Sequence, residues 1–425
     1  MRSKKFLLLL LAASICVVKL YGQAAKSPFS TFGLGDLYGN QLVHNQGMGG
    51  IGVANPQYWY LNNQNPAALT FNRITTLSAG YLGERRTVRN ETESNQSTGG
   101  NLNYFIMAFP IKSAKWSSAL GLTPYSNIDY TFKYTEPIQG STNSIDVTES
   151  GRGGFNQFYW SNGYALTDDL SIGLKTSFLF SSAIREYSNQ LTQTDQLISY
   201  APTVYERTTI GDLTFTAGIL YHKDSIGSKN YRFSVGLMYD HSSNMRANQL
   251  NRIELRNVTG TIIESDTVSF NERGNIALPR GLGGGFSFSK GYTWTLAAEV
   301  YLHDWTTYRN FDGSNEGLVN SLTAAFGGEI TPNQASVTSY LERITYRAGL
   351  SYAEAPYSIN GSVVKDFGIN FGLSFPTAQY SSLDLAVKLG RRGNRSLTEI
   401  EENYIRVTFG VTFNDRNWFI KRRFD

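Results

Sequence analysis

The feature that most constrains this chain is an alternation of apolar residues with a period of two, repeated in many segments. In FGINFGLSF, residues 367–375, every second side chain is large and apolar, and the residues between are Gly, Asn, Gly and Ser. YIRVTFGVTF, residues 404–413, repeats the scheme. Successive side chains of a strand point to opposite faces, so each segment predicts a β-strand with one apolar face. These segments exceed the five or six residues common in soluble sheets.

The residues on the other face decide between two kinds of β-protein. A large secreted β-protein would carry many charges on its water-facing side, but here Gly, Ser, Thr and Ala predominate. Charged residues make up 17% of the chain, below the roughly 25% of a soluble domain. Outside the leader, no apolar run approaches the roughly 20 residues of a membrane helix. The pattern therefore favours an all-β, transmembrane antiparallel β-barrel with lipid outside and a narrow or filled lumen.

Fourteen strands are predicted, and an even number closes an antiparallel barrel with both ends on the same side. Short turns at 113–115, 167–169 and 289–292 alternate with long polar connections at 89–100, 137–151, 191–202, 249–272 and 394–401. Closure leaves no unpaired sheet edge in lipid. The predicted strands span 73–88, 101–113, 116–136, 152–166, 169–190, 203–222, 230–248, 273–289, 292–308, 318–331, 342–357, 364–376, 380–393 and 402–414.

The first 22 residues predict a secretory signal peptide, with a cationic start and an apolar stretch from Phe6 to Val18. The only cysteine, Cys16, lies inside this leader and follows Ile15 rather than a small residue, so lipidation is not expected. Without the leader the chain has 34 basic and 34 acidic residues, because four of the 38 basic residues leave with it. A neutral chain gives no basic field for nucleic acid.

No arrangement of residues predicts catalysis. His44, His222, His241 and His303 are scattered and have no nearby cysteine in sequence, so no metal site is predicted. No G-x-S-x-G motif occurs, and the glycine run at 281–285 lies in a strand without a following helix. We therefore expect no catalytic residue, no cofactor and no enzymatic activity.

Residues 23–72 contain no membrane strand and are rich in Gly, Asn and Pro. Irregular backbone is tolerated at membrane depth when protein surrounds it, so this segment is predicted to fold back as a hatch, or plug, inside the barrel of residues 73–414. Asn65 and Pro66 suggest either a gate hinge or a turn that ends the plug, and the turn is favoured. The candidate hatch or gate residues are Gly49, Gly50, Asn65, Pro66 and Ala67.

The run MGGIGVANPQYWYLNNQNPAAL, residues 48–69, resembles the N-terminal hatch of the FadL-type long-chain fatty acid porins. Segments 278–305, 346–357 and 383–390 are similar to barrel strands of that family. The resemblance implies fourteen strands and an N-terminal plug. The chain departs from the family at residues 27–40, and it continues past strand fourteen where the family's barrels end on an aromatic residue.

Seven charged residues fall on the predicted inward faces of strands. They predict either a polar track or a clamp for a ligand carboxylate, which arginine binds through two hydrogen bonds, or a network that pairs wall and hatch. The network is favoured. The residues are Lys175, Arg232, Glu299, Arg347, Asp384, Lys388 and Arg406.

Two functions follow from the resemblance and its departures. The first, which is favoured, is a FadL-like channel in the outer membrane of a Gram-negative bacterium, which admits small hydrophobic compounds such as fatty acids. The second is a non-transporting barrel in an outer-membrane secretion or protein-assembly complex. The expected partners are outer-membrane lipid and lipopolysaccharide, with a hydrophobic small molecule under the first hypothesis and outer-membrane or periplasmic proteins under the second.

The C-terminal tail, residues 415–425, carries NWFIKRRFD after the last predicted strand. Its aromatic and cationic residues suit anchoring at lipid headgroups, and they also suit docking to a periplasmic partner. Anchoring is favoured.

Overall fold

Sixteen long strands occupy fourteen positions of a barrel wall in the computed structural model, which describes residues 24–140, 143–191, 200–227, 230–257, 259–377 and 381–416. A short strand, β1 (Asp36–Leu37), pairs with the inner side of the wall at β4. The wall strands are β2 (Thr75–Arg89), β3 (Ser94–Lys112), β4 (Trp116–Pro137), β5 (Ser144–Ala165), β6 (Leu170–Leu191), β7 (Tyr200–Ile226), β8 (Tyr231–Asp240), β9 (Ser243–Asn257), β10 (Ile262–Leu278), β11 (Gly281–Lys290), β12 (Trp294–His303), β13 (Ser321–Ile330), β14 (Thr345–Ile359), β15 (Ser362–Pro376), β16 (Ser382–Gly393) and β17 (Glu401–Asp415).

Two wall positions each contain two strands, because the chain breaks its ladder once in each. Strands β8 and β9 pair in succession with the single long strand β7, on either side of residues 241–242. Strands β10 and β11 continue one another across residues 279–280 and pair with β9 and β8 respectively. Pro279 has no backbone N–H to donate to a ladder, which explains the second break.

The barrel closes where its last strand meets its first. Strand β17 pairs antiparallel with β2 from Glu401↔Arg89 to Asp415↔Thr75, without a break in register. The start of β2 and the end of β17 therefore lie on the same side of the barrel. Short turns join the strands on this side, which is called here the short-turn end. The opposite end is the long-loop end. The predicted fourteen-stranded antiparallel barrel is confirmed.

Several predicted connections are wrong in extent. Strands begin within the predicted connections 89–100 and 137–151, at Ser94 and Ser144, and β9 and β10 leave only residues 258–261 of the predicted connection 249–272. These additions lie at the long-loop end, where the segments are rich in polar residues. The ladder hydrogen bonds therefore form there without the apolar alternation on which the prediction rested.

Strands β12 and β13 are shorter at the long-loop end than predicted. Strand β12 ends at His303 and β13 begins at Ser321, whereas the predicted strands reached 308 and began at 318. The chain between them includes a 3₁₀ helix, Trp305–Thr307, and a bridge between Arg309 and Ala277. Trp305 and Tyr308 turn into the lumen, where both are buried.

The two faces of the wall differ as the alternation requires. On β15, Phe367, Ile369 and Phe371 are exposed on the outer face. On the inner face, Gly372 lies against the backbone of Gly47, and Thr408 of β17 donates a hydrogen bond to Gln46 Oε1 at 2.7 Å. None of the helices in the described ranges has the length and apolarity needed to cross a membrane.

Some predictions fall partly or wholly outside the described residues. The signal peptide, residues 1–22, lies outside them, as do residues 417–425 of the tail. The division of the chain at residues 22, 72 and 414 stays a prediction.

We expect Phe371→Arg to lower the free energy of unfolding by about 2–4 kcal/mol, because it places a charge on the lipid face near mid-membrane. Val268→Arg is the matched control, since Val268 is exposed on β10 at the long-loop end, outside the lipid. Denaturant unfolding in phospholipid vesicles measures both. Equal losses for the two variants would contradict the assignment of the lipid face.

Candidate functional site

The interior of the barrel is occupied by the N-terminal segment, defined here as residues 24–72. Wall glycines let its backbone come close: a Cβ added to Gly372 would lie 2.8 Å from Gly47 Cα. One added to Gly327 would lie 2.4 Å from the Met48 carbonyl oxygen. The small inward residues of the alternating strands thus form the surface that the segment packs against.

Gly49 and Gly50 make a turn at the wall. Their φ angles are +83° and +99°, in the left-handed region where a side chain is strained. A Cβ on Gly49 would also lie 2.7 Å from the carbonyl oxygen of Leu350 on β14. Glycine is therefore required here by conformation and by space.

Asn65 ties the end of the segment together. Its Oδ1 accepts a hydrogen bond from the Ala67 backbone N–H at 3.0 Å and caps a 3₁₀ helix, Pro66–Phe71. Its Nδ2 donates to the carbonyl oxygens of Val53, at 2.8 Å, and of Ile219 on β7, at 3.1 Å. Pro66 and Ala67 lie against the inward glycine Gly173. Asn65 is completely buried, and its contacts are those of a turn held against the wall.

Two predicted inward charges are satisfied by the backbone of the segment. Glu299 on β12 accepts hydrogen bonds from the N–H groups of Gly52, at 2.8 Å, and Val53, at 2.9 Å. Lys175 on β6 donates from Nζ to the Asn63 carbonyl oxygen at 3.3 Å. Each of these two side chains therefore fixes a stretch of irregular backbone that makes no β-sheet hydrogen bonds.

Two more predicted charges, Lys388 and Arg406, belong to an ionic network near the β17–β2 seam. Arg406 pairs with Glu84 at 2.6 Å, and Lys388 pairs with Asp366 at 3.5 Å. The other members are Asp36, Arg86, Arg392 and Glu402.

Arg86 and Arg392 connect the segment to the wall within this network. Arg86 bonds to Glu84 and to Glu402, each at 2.5 Å, and Arg392 pairs with Asp36 at 2.7 Å. Sequence reasoning missed these residues. A signal was available, because Glu84 and Arg86 lie two apart on the first strand, and closure places that strand beside the last.

At the long-loop end, apolar side chains fill the lumen. Phe29 and Phe32 of the segment stack on Tyr357 of β14, with ring centroids 5.6 and 4.7 Å apart. Phe29 and Tyr357 belong to a cluster of 17 buried residues, against which Phe32 packs. The cluster also includes Trp305 and Tyr308 from the loop after β12. The N-terminal segment thus extends through the lumen from the long-loop end to the short-turn end, where the first wall strand begins.

One carboxylate joins the segment to the loop between β12 and β13. Glu316 accepts a hydrogen bond from the Gly33 N–H at 2.7 Å and lies 3.9 Å from Arg185. Burial raises the pKa of Glu316 above its usual value, and the Arg185 guanidinium partly opposes this rise.

The remaining predicted charges lie toward the short-turn end. Arg347 pairs with Glu329 at 2.8 Å, and Asp384 accepts hydrogen bonds from Ser374 and Ser382. Arg232 pairs with Asp224 and donates to Tyr58 Oη at 3.0 Å. All seven predicted charges therefore have polar partners. Those of Glu299, Lys175 and Arg232 lie in the N-terminal segment, at least in part, whereas those named here for the other four lie on the wall. The choice between network and clamp stays a prediction. Within the described ranges, no group of His, Cys, Asp or Glu is arranged to hold a metal ion.

A protein-family model described as BamG matches residues 2–425. A comparison with curated proteins finds no match.

Solved structures resemble the barrel over most of its length. The CymD monoaromatic hydrocarbon channel has a TM-score of 0.56 and 15% identity, over 89% of this chain and 98% of that one. The Pseudomonas putida toluene transporter TodX has a TM-score of 0.55 and 15% identity, over 90% of this chain and 99% of that one. A Pseudomonas aeruginosa FadL homologue has a TM-score of 0.54 and 13% identity, over 89% of this chain and 98% of that one. At these identities the likeness shows the fold, a FadL-like barrel.

We expect Arg86→Met to lower the free energy of unfolding by about 3–5 kcal/mol, because it removes the closest cationic partner of the buried Glu402 and one of the two arginines that pair with Glu84. Arg152→Met is the matched control: its pair with Glu186 is exposed, with 63% of the arginine side chain accessible, and such pairs contribute about 0–1 kcal/mol. Denaturant unfolding in vesicles compares the two. A loss for Arg86→Met no greater than for the control would contradict a structural role for the network.

Proposed function

The chain belongs to the BamG family and folds as a FadL-like barrel, and we propose that it is a non-transporting subunit of an outer-membrane secretion or protein-assembly complex. The proposal places the barrel in the outer membrane of a Gram-negative bacterium, in contact with lipid and lipopolysaccharide. The family label favours an assembly role. The observation that carries the proposal is the filling of the lumen.

A hydrophobic compound entering from the long-loop end would have to displace the apolar cluster. Phe29 and Phe32 lie there against Tyr357, and burial of one such side chain contributes about 1.5–3 kcal/mol. Behind them lies the ionic network of Arg86 and Arg392, and breaking one buried pair costs about 3–5 kcal/mol. These barriers favour a plugged scaffold over a permanently open path.

Two exposed apolar sites outside the lipid suit protein contacts. At the long-loop end, Phe270 and Val268 of β10 are 81% and 65% exposed. At the short-turn end, the loop 331–344 exposes 97% of Val337 and 66% of Leu341. That loop is stabilised by hydrogen bonds such as Asn333 N–H to the Glu342 carbonyl oxygen, at 2.8 Å. Burial of these exposed apolar groups against a partner would be favourable, because it removes apolar surface from water.

The second candidate is a channel for small hydrophobic compounds such as fatty acids. The observation that favours it is the shared fold with CymD and TodX, which are described as hydrocarbon and toluene channels. For this chain, such transport requires that the N-terminal segment moves away from the wall.

Depletion of the protein from living cells tests both candidates. Under the assembly proposal, we expect other outer-membrane barrels to lose their folded fraction, measured as heat-modifiable mobility on gels. Uptake of radiolabelled fatty acid, measured early in depletion, should stay unchanged. Normal folding of the other barrels together with lost uptake would overturn the proposal and support the channel.

Complementation of the depleted cells tests the loop 331–344. We expect the double variant Val337→Asp, Leu341→Asp to insert normally but to restore barrel assembly poorly, because charge replaces the apolar contact surface. Thr338→Asp is the control, since it adds a charge to an exposed polar position of the same loop. Full rescue by the double variant would exclude this loop as a docking site.

A further inference from the structure

The outer face of the wall changes from apolar to polar toward the long-loop end of β16 and β17. On β17, Phe413 and Ile405 are exposed apolar residues, and the next outward position is Asn403. On β16, exposed Leu389 is followed in the same way by Arg391. The stretch from Phe413 to Ile405 spans about 20 Å at the usual rise and tilt of a barrel strand, most of the roughly 25 Å of an apolar band. The change therefore marks the boundary between lipid chains and headgroups.

A second arginine stands at this boundary, on β2. Arg85 is exposed and lies across from Ile405, whereas Arg391 lies across from Asn403 on the other side of β17. Neighbouring strands are about 4.8 Å apart, so the backbones of β2 and β16 are separated by only about 10 Å. Both arginines line one open groove of about 510 Å³ on the outside of the barrel.

This outer groove has an apolar part and a polar part. Ile369, Leu389 and Ile405 contribute apolar surface, and Gln96 and Asn403 contribute polar groups beside the two arginines. None of the lining residues is acidic. A groove of this composition at the edge of the apolar band suits a molecule that joins an apolar chain to an anionic head.

Arg85 has no anionic partner in the described part of the chain. Its Nη2 donates a hydrogen bond to Gln96 Oε1 at 2.9 Å, and no carboxylate oxygen of a described residue lies within 4.0 Å of its guanidinium nitrogens. A charged group beside the apolar band is costly unless it is paired. Lipid phosphate lies at the level of the headgroups, and its oxygens match the planar donors of a guanidinium.

Arg391 can take part although it already has an ion pair. Its Nη2 lies 2.7 Å from Glu401, but 58% of its side chain is accessible. A guanidinium has five N–H donors, so this pair leaves others for a ligand. Glu401 also lies 3.9 Å from Arg395, so two arginines share one carboxylate. The carboxylates of the adjoining loops lie beyond the strand ends, at Glu91, Glu93 and Glu399.

We propose that the outer groove binds a phosphorylated lipid of the leaflet at the long-loop end. The phosphate accepts hydrogen bonds from Arg85 and Arg391, and an acyl chain lies along Leu389 and Ile405. In the proposed outer-membrane location this lipid is lipopolysaccharide, whose lipid A anchor carries phosphate. The inference uses that location only to name the lipid, and it holds whether the barrel assembles other proteins or transports.

Native mass spectrometry of the full chain in a non-ionic detergent tests the proposal. The probes are dioleoyl phosphatidate, dioleoyl phosphatidylcholine, lipid A and inorganic phosphate. We expect phosphatidate to bind roughly ten to a hundred times more tightly than phosphatidylcholine, whose chains are the same, because its head offers a full phosphate charge to the arginines. Lipid A should compete with phosphatidate for the site, and inorganic phosphate should not, because it lacks the apolar chains.

Variants locate the site. We expect Arg85→Gln to weaken phosphatidate binding roughly fivefold, and the double variant Arg85→Gln, Arg391→Gln roughly twentyfold. Phosphatidylcholine binding should change less than about twofold. Arg152→Gln is the matched control, since Arg152 is an accessible arginine of β5 outside the groove that pairs with Glu186 at 3.3 Å. It should leave phosphatidate binding within about twofold of the parent.

Heat-modifiable gel mobility confirms the folding of each variant before titration. Equal affinity of the folded parent for phosphatidate and phosphatidylcholine would overturn the proposal, as would equal weakening by the double variant and by Arg152→Gln. Failure of lipid A to compete would exclude lipopolysaccharide as the bound lipid. Competition by inorganic phosphate as strong as by lipid A would show an ion site in place of a lipid site.

Discussion

The seam between β17 and β2 is the contact on which the rest of the structure depends. An unpaired backbone group in lipid costs several kcal/mol, so a sheet in a membrane has to close. The seam does this through continuous pairing from Glu401↔Arg89 to Asp415↔Thr75. Closure with fourteen positions creates a lumen too wide for wall side chains alone to fill when so many of them are small. The chain fills it with its own N-terminal segment.

The contents of the lumen change along the barrel axis with the chemistry of the segment. At the long-loop end, Phe29 and Phe32 add to an apolar core, and below them Asp36 enters an ionic network with Arg86 and Arg392. At mid-height, backbone N–H groups of the segment bind Glu299, and glycines allow direct backbone contact. Toward the short-turn end, aromatic rings and arginines surround a cavity. A single irregular segment thereby links regions that the wall alone leaves separate.

This arrangement bears on the choice between the two candidate functions. The N-terminal segment is held both by its buried apolar residues and by its ion pairs with the wall. Displacement of the segment would therefore expose apolar surface and leave wall charges unpaired. A channel would need that cost to be met by its ligand, whereas a scaffold benefits from it because a rigid barrel presents its loops in fixed positions. The exposed apolar residues Phe270 and Val337 lie at opposite ends of the barrel, on surfaces that the proposed scaffold would offer to other proteins.

The candidate site was only partly predictable. The alternation of side chains along a strand was enough to predict that Lys175, Glu299 and Arg347 face inward, because successive side chains point to opposite faces. Their partners could not be predicted, since Asn63, Gly52 and Glu329 reach them through the path of an irregular segment and the register between strands. The network of Asp36 with Arg392 joins residues 356 positions apart. No local pattern indicates such a contact.

The sequence by itself determined the closed barrel, its strand number and the two faces of its wall. The reason is that alternation is a local property, and the membrane permits few ways to pair every backbone group. Only the tertiary structure decided where strands end at the long-loop end, where β8 gives way to β9, and how the segment fills the lumen. Those outcomes depend on hydrogen bonds and packing between distant residues, in water or inside the barrel, where alternation is no longer required.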